Sequence, residues 1–106
     1  MPKYLVQGSY SADGAKGLLK DGGSKRRAAV EAMAKSFGGR VESFYYALGD
    51  TDVYAVFEAP DNVSAAAVSL AVNASGAVSL KLTALLTPEE IDEATKKTIT
   101  YQAPGR

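Results

Sequence analysis

Three features of the sequence predict an α+β fold with one antiparallel sheet and two helices on one of its faces. Four short apolar or alternating segments have strand character: 3–10, 40–48, 52–59 and 77–86. Capped helical segments lie between the first and second of these, and between the third and fourth. The second and third are separated only by a short loop around Gly49. The order is β-α-β-β-α-β followed by a capped C-terminal helix, and it fills a single domain over residues 1–106.

Lys3 to Tyr10 is apolar and aromatic, as a first strand requires. Ser11 then caps a short helix running through Leu18 and Leu19, which Gly14 and Gly17 weaken. The glycines after Asp21 break it, and Ser24 is expected to cap the next helix. There Val30, Met33, Ala34 and Phe37 recur at i, i+3, i+4 and i+7 and form one apolar face. Gly38 and Gly39 end that helix.

Arg40–Leu48 and Asp52–Ala59 read as a hairpin, with Pro60 stopping the second strand. Asp61 caps a second long helix, ended by Gly76. Ala77–Leu86 alternates with period two and is the fourth strand. Thr87, Pro88 and Glu90 supply a cap, a first-turn proline and a capping-box glutamate for the last helix. Lys96 and Lys97 suit its C-terminal end. Residues 98–106 form an extended tail with Ile99 and Tyr101 on one side.

Composition narrows the chemistry. The chain has no cysteine and no histidine. Disulfides, thiolate nucleophiles, Ser-His-Asp relays and cysteine-held metal clusters are therefore excluded, and no cofactor or metal is expected. Twelve basic residues balance twelve acidic ones, which argues against a broad nucleic-acid surface. The longest uncharged run, Asn62–Leu80, contains serines, asparagines and a glycine and reads as helix, turn and strand rather than a membrane span. The N-terminus has no basic start followed by an apolar segment, so a cytoplasmic location is expected.

The alternation assigns faces to the sheet. With Leu48 opposite Val53, Tyr46 meets Ala55 and Phe44 meets Phe57, giving an apolar bed for the helices. Tyr4, Val6, Val78, Leu80, Leu82 and Ala84 join it. The opposite face carries Leu5, Gln7, Tyr45, Tyr54, Val56, Lys81 and Thr83. That face is too aromatic for a solvated surface, and a second copy of the chain is the simplest cover for it. The helix Val63–Ala74 has no charge and is apolar nearly all round, which points to burial on several sides.

These segments carry a resemblance. Tyr4–Tyr10, Gly14–Ala29, Gly38–Asn62, Ser64–Glu90 and Tyr101–Gly105 resemble the GYD-domain family of the dimeric α/β-barrel superfamily. Gly49 and Asp52 match the Gly-x-Tyr-Asp motif at the hairpin, while Thr51 stands in the tyrosine place. The resemblance implies a ferredoxin-like βαββαβ fold that pairs as a dimeric α/β barrel, and it implies no particular activity.

Three groups of residues are candidates for function. Asp50, Thr51 and Asp52 offer oxygens for a cation, but their types and spacing fit a hairpin turn better. Lys25, Arg26 and Arg27 place positive charge at a helix start and suit an anionic ligand. Tyr10, Tyr45 and Tyr46 lie on or near the central strands and suit packing or ligand contact. The expected function is that of a small homo-oligomer, a non-catalytic module for small-ligand binding or assembly. The alternative is a cofactor-independent enzyme, monooxygenase- or isomerase-like, acting on a small organic substrate. The partners expected are itself, as a homodimer or higher oligomer, and a small anionic or organic ligand. No nucleic acid, membrane or catalytic residue is assigned.

Overall fold

The computed structural model describes all residues, 1–106. The chain runs β1 (Lys3–Tyr10), α1 (Ala12–Asp21), α2 (Gly23–Ser36), β2 (Arg40–Tyr46), β3 (Val53–Glu58), α3 (Asn62–Ala74), β4 (Val78–Leu85) and α4 (Pro88–Thr95). The strands form one antiparallel sheet in the order β2-β3-β1-β4. This is the ferredoxin-like arrangement with a C-terminal helix added.

Capping chemistry sets most helix starts. The Ser11 side chain accepts from the Gly14 amide, and that of Asp61 from the Ser64 amide. At α4 both halves of the capping box form: Glu90 N–H donates to Thr87 Oγ1 at 3.1 Å, and Thr87 N–H donates to Glu90 Oε1 at 2.9 Å. The start of α2 differs from expectation. Gly22, at φ 82°, both ends α1 and precedes α2, so Ser24 lies inside the first turn rather than at the cap. Glycine tolerates that positive φ, and the break between the helices shrinks to one residue.

The faces follow the predicted alternation. Tyr4 stands between Phe57 and Ala84, and Val6 between Ala55 and Leu82, on the helix side. The buried core gathers Tyr4, Phe57, Ala59 and Ala65, with Val6, Phe37 and Leu82 packed against it. Phe57 stacks on Tyr4 at 5.4 Å between centroids and meets Phe37 edge-on at 6.2 Å. The Tyr4 hydroxyl donates to Asn62 Oδ1 at the start of α3.

The hairpin register departs from the expected one. Val53 pairs with Tyr46, not Leu48, and Ala55 with Phe44. A bulge between Val41 and Ser43 then sets Val41 opposite Phe57. From Ser43 to Tyr46 the slide is by two residues, so these side chains keep their faces, and beyond the bulge Val41 turns to the helix side, where it lines a cavity. The cause of the slide is a longer loop that leaves Leu48 fully exposed. That loop is tied to β1: Asp52 N–H donates to Gly8 C=O at 2.9 Å, and Asp52 Oδ2 accepts from Tyr10 N–H at 2.9 Å. Ser9 Oγ donates to Asp50 C=O at 3.1 Å.

Two of the helices are largely uncovered within the chain. α3 buries only Ala65 and Val68, while Val63 and Leu70 are exposed. α4 and the tail stand off the body, with every residue from Pro88 to Gln102 exposed. The radius of gyration is 17.0 Å, against about 13 Å for a compact chain of this length. No helix is long and apolar enough to cross a membrane.

Candidate functional site

Between the helix side of the sheet and the two long helices lies a cavity of about 180 Å³. Val6, Ala55 and Phe57 form its floor. Val30, Met33, Ala34 and Phe37, the apolar face read from the sequence, line it from α2 and its C-terminal cap, and Val68 and Val72 line it from α3. Sixteen of its eighteen lining residues are hydrophobic, and Arg26 is the single charged one. The Tyr10 side chain is the other polar group on its wall. Small residues are among its lining: Gly8 and Ala55 on the sheet, Ala29 and the buried Ala34 on α2.

The three consecutive cations of α2 have different fates. Lys25 Nζ lies 3.7 Å from Asp21, and Arg27 Nε lies 3.9 Å from Glu31, both one helical turn away. Arg26 forms no ion pair. The residue is half-buried and its side chain lines the cavity, with the guanidinium nitrogens open to solvent.

The tyrosines separate as well. Tyr46 lies on the helix side, packs edge-on against Phe44 at 5.3 Å, and its hydroxyl donates to Gly23 C=O at 2.9 Å. Burial, with Tyr10 close by, raises its pKa above the usual tyrosine value, against the opposing pull of Arg26 and Arg27. Tyr10 and Tyr46 also flank a shallower groove with Leu18 of α1 and Asp52. Tyr45 projects from the opposite face, where it pairs with Tyr54, and it shares a groove at β2 with Arg27 and Glu31. Of the six candidate cations and tyrosines, the fold thus gathers Arg26, Tyr10 and Tyr46 around the cavity end nearest the α2 start. Lys25 and Arg27 are engaged with carboxylates, and Tyr45 lies across the sheet.

The segment Gly49–Asp52 is a turn. The Asp52 carboxylate accepts from the backbone of β1, as set out above, and no cluster of three acidic side chains that could hold a cation forms anywhere in the chain. The apolar spacing of the cavity walls is also that of ordinary core, so the sequence marks none of them as site residues. Arg26 carried a readable signal: its neighbours have acids four residues away, whereas Gly22 and Val30 flank it at that spacing.

The far face of the sheet brings together Leu5, Tyr45, Tyr54 and Val56. Tyr45 is 70% exposed and Tyr54 39%. Lys3 with Glu42, and Arg40 with Glu58, form ion pairs at one end of it.

Comparison with known proteins gives one match. A family model described as GYD domain matches residues 4–95. No curated protein and no solved structure matches the chain.

Proposed function

The chain belongs to the GYD-domain family, and on that premise we propose that it is a self-associating module that binds a small ligand in the cavity between sheet and helices. The cavity itself carries the reading. Native interiors are close-packed, and a gap of about 180 Å³ lined by apolar side chains is large enough to take a small guest. It lies below the several hundred cubic ångströms usual for drug-sized ligands, so the guest is small.

Self-association is supported by what the single chain leaves uncovered. Exposed tyrosines and apolar residues occupy the far sheet face, and α3 shows Val63 and Leu70 to solvent. An isolated helix as short as α4 is unstable in water, so an α4 free of the body is best explained by packing against another copy. Pairing through the far sheet face closes two four-stranded sheets into a barrel with the helices outside.

Binding is favoured over catalysis by the walls of the cavity. No carboxylate lines it, and the nearby Tyr46 hydroxyl donates to Gly23 C=O. The cofactor-independent enzyme has no such observation in its favour.

The test is a thermal-shift titration with 2-phenylethanol, a neutral one-ring probe. A ligand that binds only the folded state raises the melting temperature as its concentration passes Kd. Val30→Phe, which fills the cavity from α2, is expected to abolish the shift while the fold persists by circular dichroism. Equal responses in both proteins would contradict binding in the cavity.

A further inference from the structure

We propose that the ligand of this cavity is a small apolar carboxylate, held by its carboxylate on the Arg26 guanidinium with its apolar body against Val30, Met33 and Phe57. The inference rests on the reading that the cavity binds a ligand, and adds the chemical class.

Arg26 carries it. Its neighbours Lys25 and Arg27 are each matched by a carboxylate four residues away, Asp21 at the end of α1 and Glu31 on α2. The corresponding positions for Arg26 are Gly22 and Val30, so the helix offers it no acid at that spacing. No other carboxylate forms an ion pair with it either. The Arg26 side chain lines the apolar space, and its guanidinium, open to solvent and without a carboxylate partner, is free to meet an anion whose apolar part enters the cavity. The guanidinium fork matches the two oxygens of a carboxylate.

Size and charge limit the ligand further. An apolar cavity of about 150 Å³ accommodates benzene, so about 180 Å³ suits one ring or an acyl chain of similar bulk. One cation matches one negative charge. A phosphate ester with two charges would find a single guanidinium and no second cation on the walls. The Tyr10 side chain is the remaining polar group able to meet a ligand oxygen.

The experiment compares phenylacetate with 2-phenylethanol, of similar shape but uncharged, by isothermal titration calorimetry on the full chain. Phenylacetate is expected to bind about tenfold tighter or more, as a charge-assisted contact implies. Arg26→Gln should remove that advantage and leave 2-phenylethanol within about twofold of its original affinity. Arg26→Lys, which keeps the charge and loses the fork, should fall between. A melting curve for each variant establishes that it is folded. Equal affinity of the two probes for the unaltered protein, or an unchanged ratio in Arg26→Gln, would overturn the carboxylate while leaving the cavity reading intact. Loss of both probes in a folded Arg26→Gln would also overturn it, since Arg26 would then shape the cavity rather than read charge. Binding of neither probe to the unaltered protein would sink both readings.

Discussion

Two glycines of α1 should respond in opposite ways to the same substitution. Gly17 has open space around it: a Cβ there would meet no atom within 4 Å. Gly14 is pressed against the turn before β4. A Cβ there would overlap the Ala77 carbonyl oxygen, with the carbonyl carbon at 3.0 Å and Tyr10 Cδ1 at 3.1 Å. That close approach lets Ser11 N–H and Ser11 Oγ both donate to Ala77 C=O, at 3.0 Å and 3.2 Å. Alanine within a helix gains about 0.4–1 kcal/mol over glycine, and Gly17→Ala should gain that amount. Gly14→Ala gains the same and loses more. Restoring ordinary contact requires α1 to retreat by roughly 1 Å, and overpacking of this kind costs about 1–3 kcal/mol. Each weakened Ser11 bond adds up to about 1 kcal/mol. The net for Gly14→Ala is a loss of about 1–3 kcal/mol. With about 4–8 °C per kcal/mol in a chain of this size, Gly17→Ala raises the melting temperature by a few degrees and Gly14→Ala lowers it by about 4 °C or more. Urea unfolding gives the free energies, and hydrogen exchange on the α1 amides reports whether the helix detaches alone. If both variants were stabilised alike, α1 would not be seated on Ala77, and the account of the Tyr10 side of the site would fail with it.

Other outcomes follow from the same structure. Asp52→Ala removes the carboxylate that accepts from Tyr10 N–H, and should cost about 1.5 kcal/mol by urea unfolding while Asp52→Asn, which keeps an acceptor, costs less. The folded-state pKa of Tyr46 is raised, so the stability it confers is present below the unfolded tyrosine pKa and is lost as pH rises through the folded value. Ultraviolet titration should show one late-ionising tyrosine, and Tyr46→Phe should remove it and flatten the alkaline loss of stability. Tyr54→Asp puts a charge at the centre of the far sheet face, so sedimentation velocity should show a shift to monomer with 2-phenylethanol binding retained.

The element order was legible because local chemistry writes it. Ser11, Asp61 and the Thr87–Glu90 box each cap the helix they were read to cap. Alternation placed Tyr46 and Tyr45 on opposite faces, and the fold agrees. The hairpin register was not legible, since period two fixes the face and is blind to an even slide. What fixes the slide is a set of bonds from Asp52 to Gly8 and Tyr10, more than forty residues earlier. Gly14 looked like a weak point of a helix for the same reason: its value lies in the approach of Ala77, a tertiary fact. In the Lys25–Arg27 triplet the information was present, because spacing alone separates the paired cations from Arg26.

Native mass spectrometry of the protein as purified, at several concentrations, tests self-association and an occupied cavity together. The account predicts a dimer or larger assembly that carries extra mass of small-acid size, which Val30→Phe loses. A monomer that persists at high concentration would contradict the assembly of the far sheet faces, and an oligomer without retained mass that also ignores added phenylacetate and 2-phenylethanol would contradict the cavity.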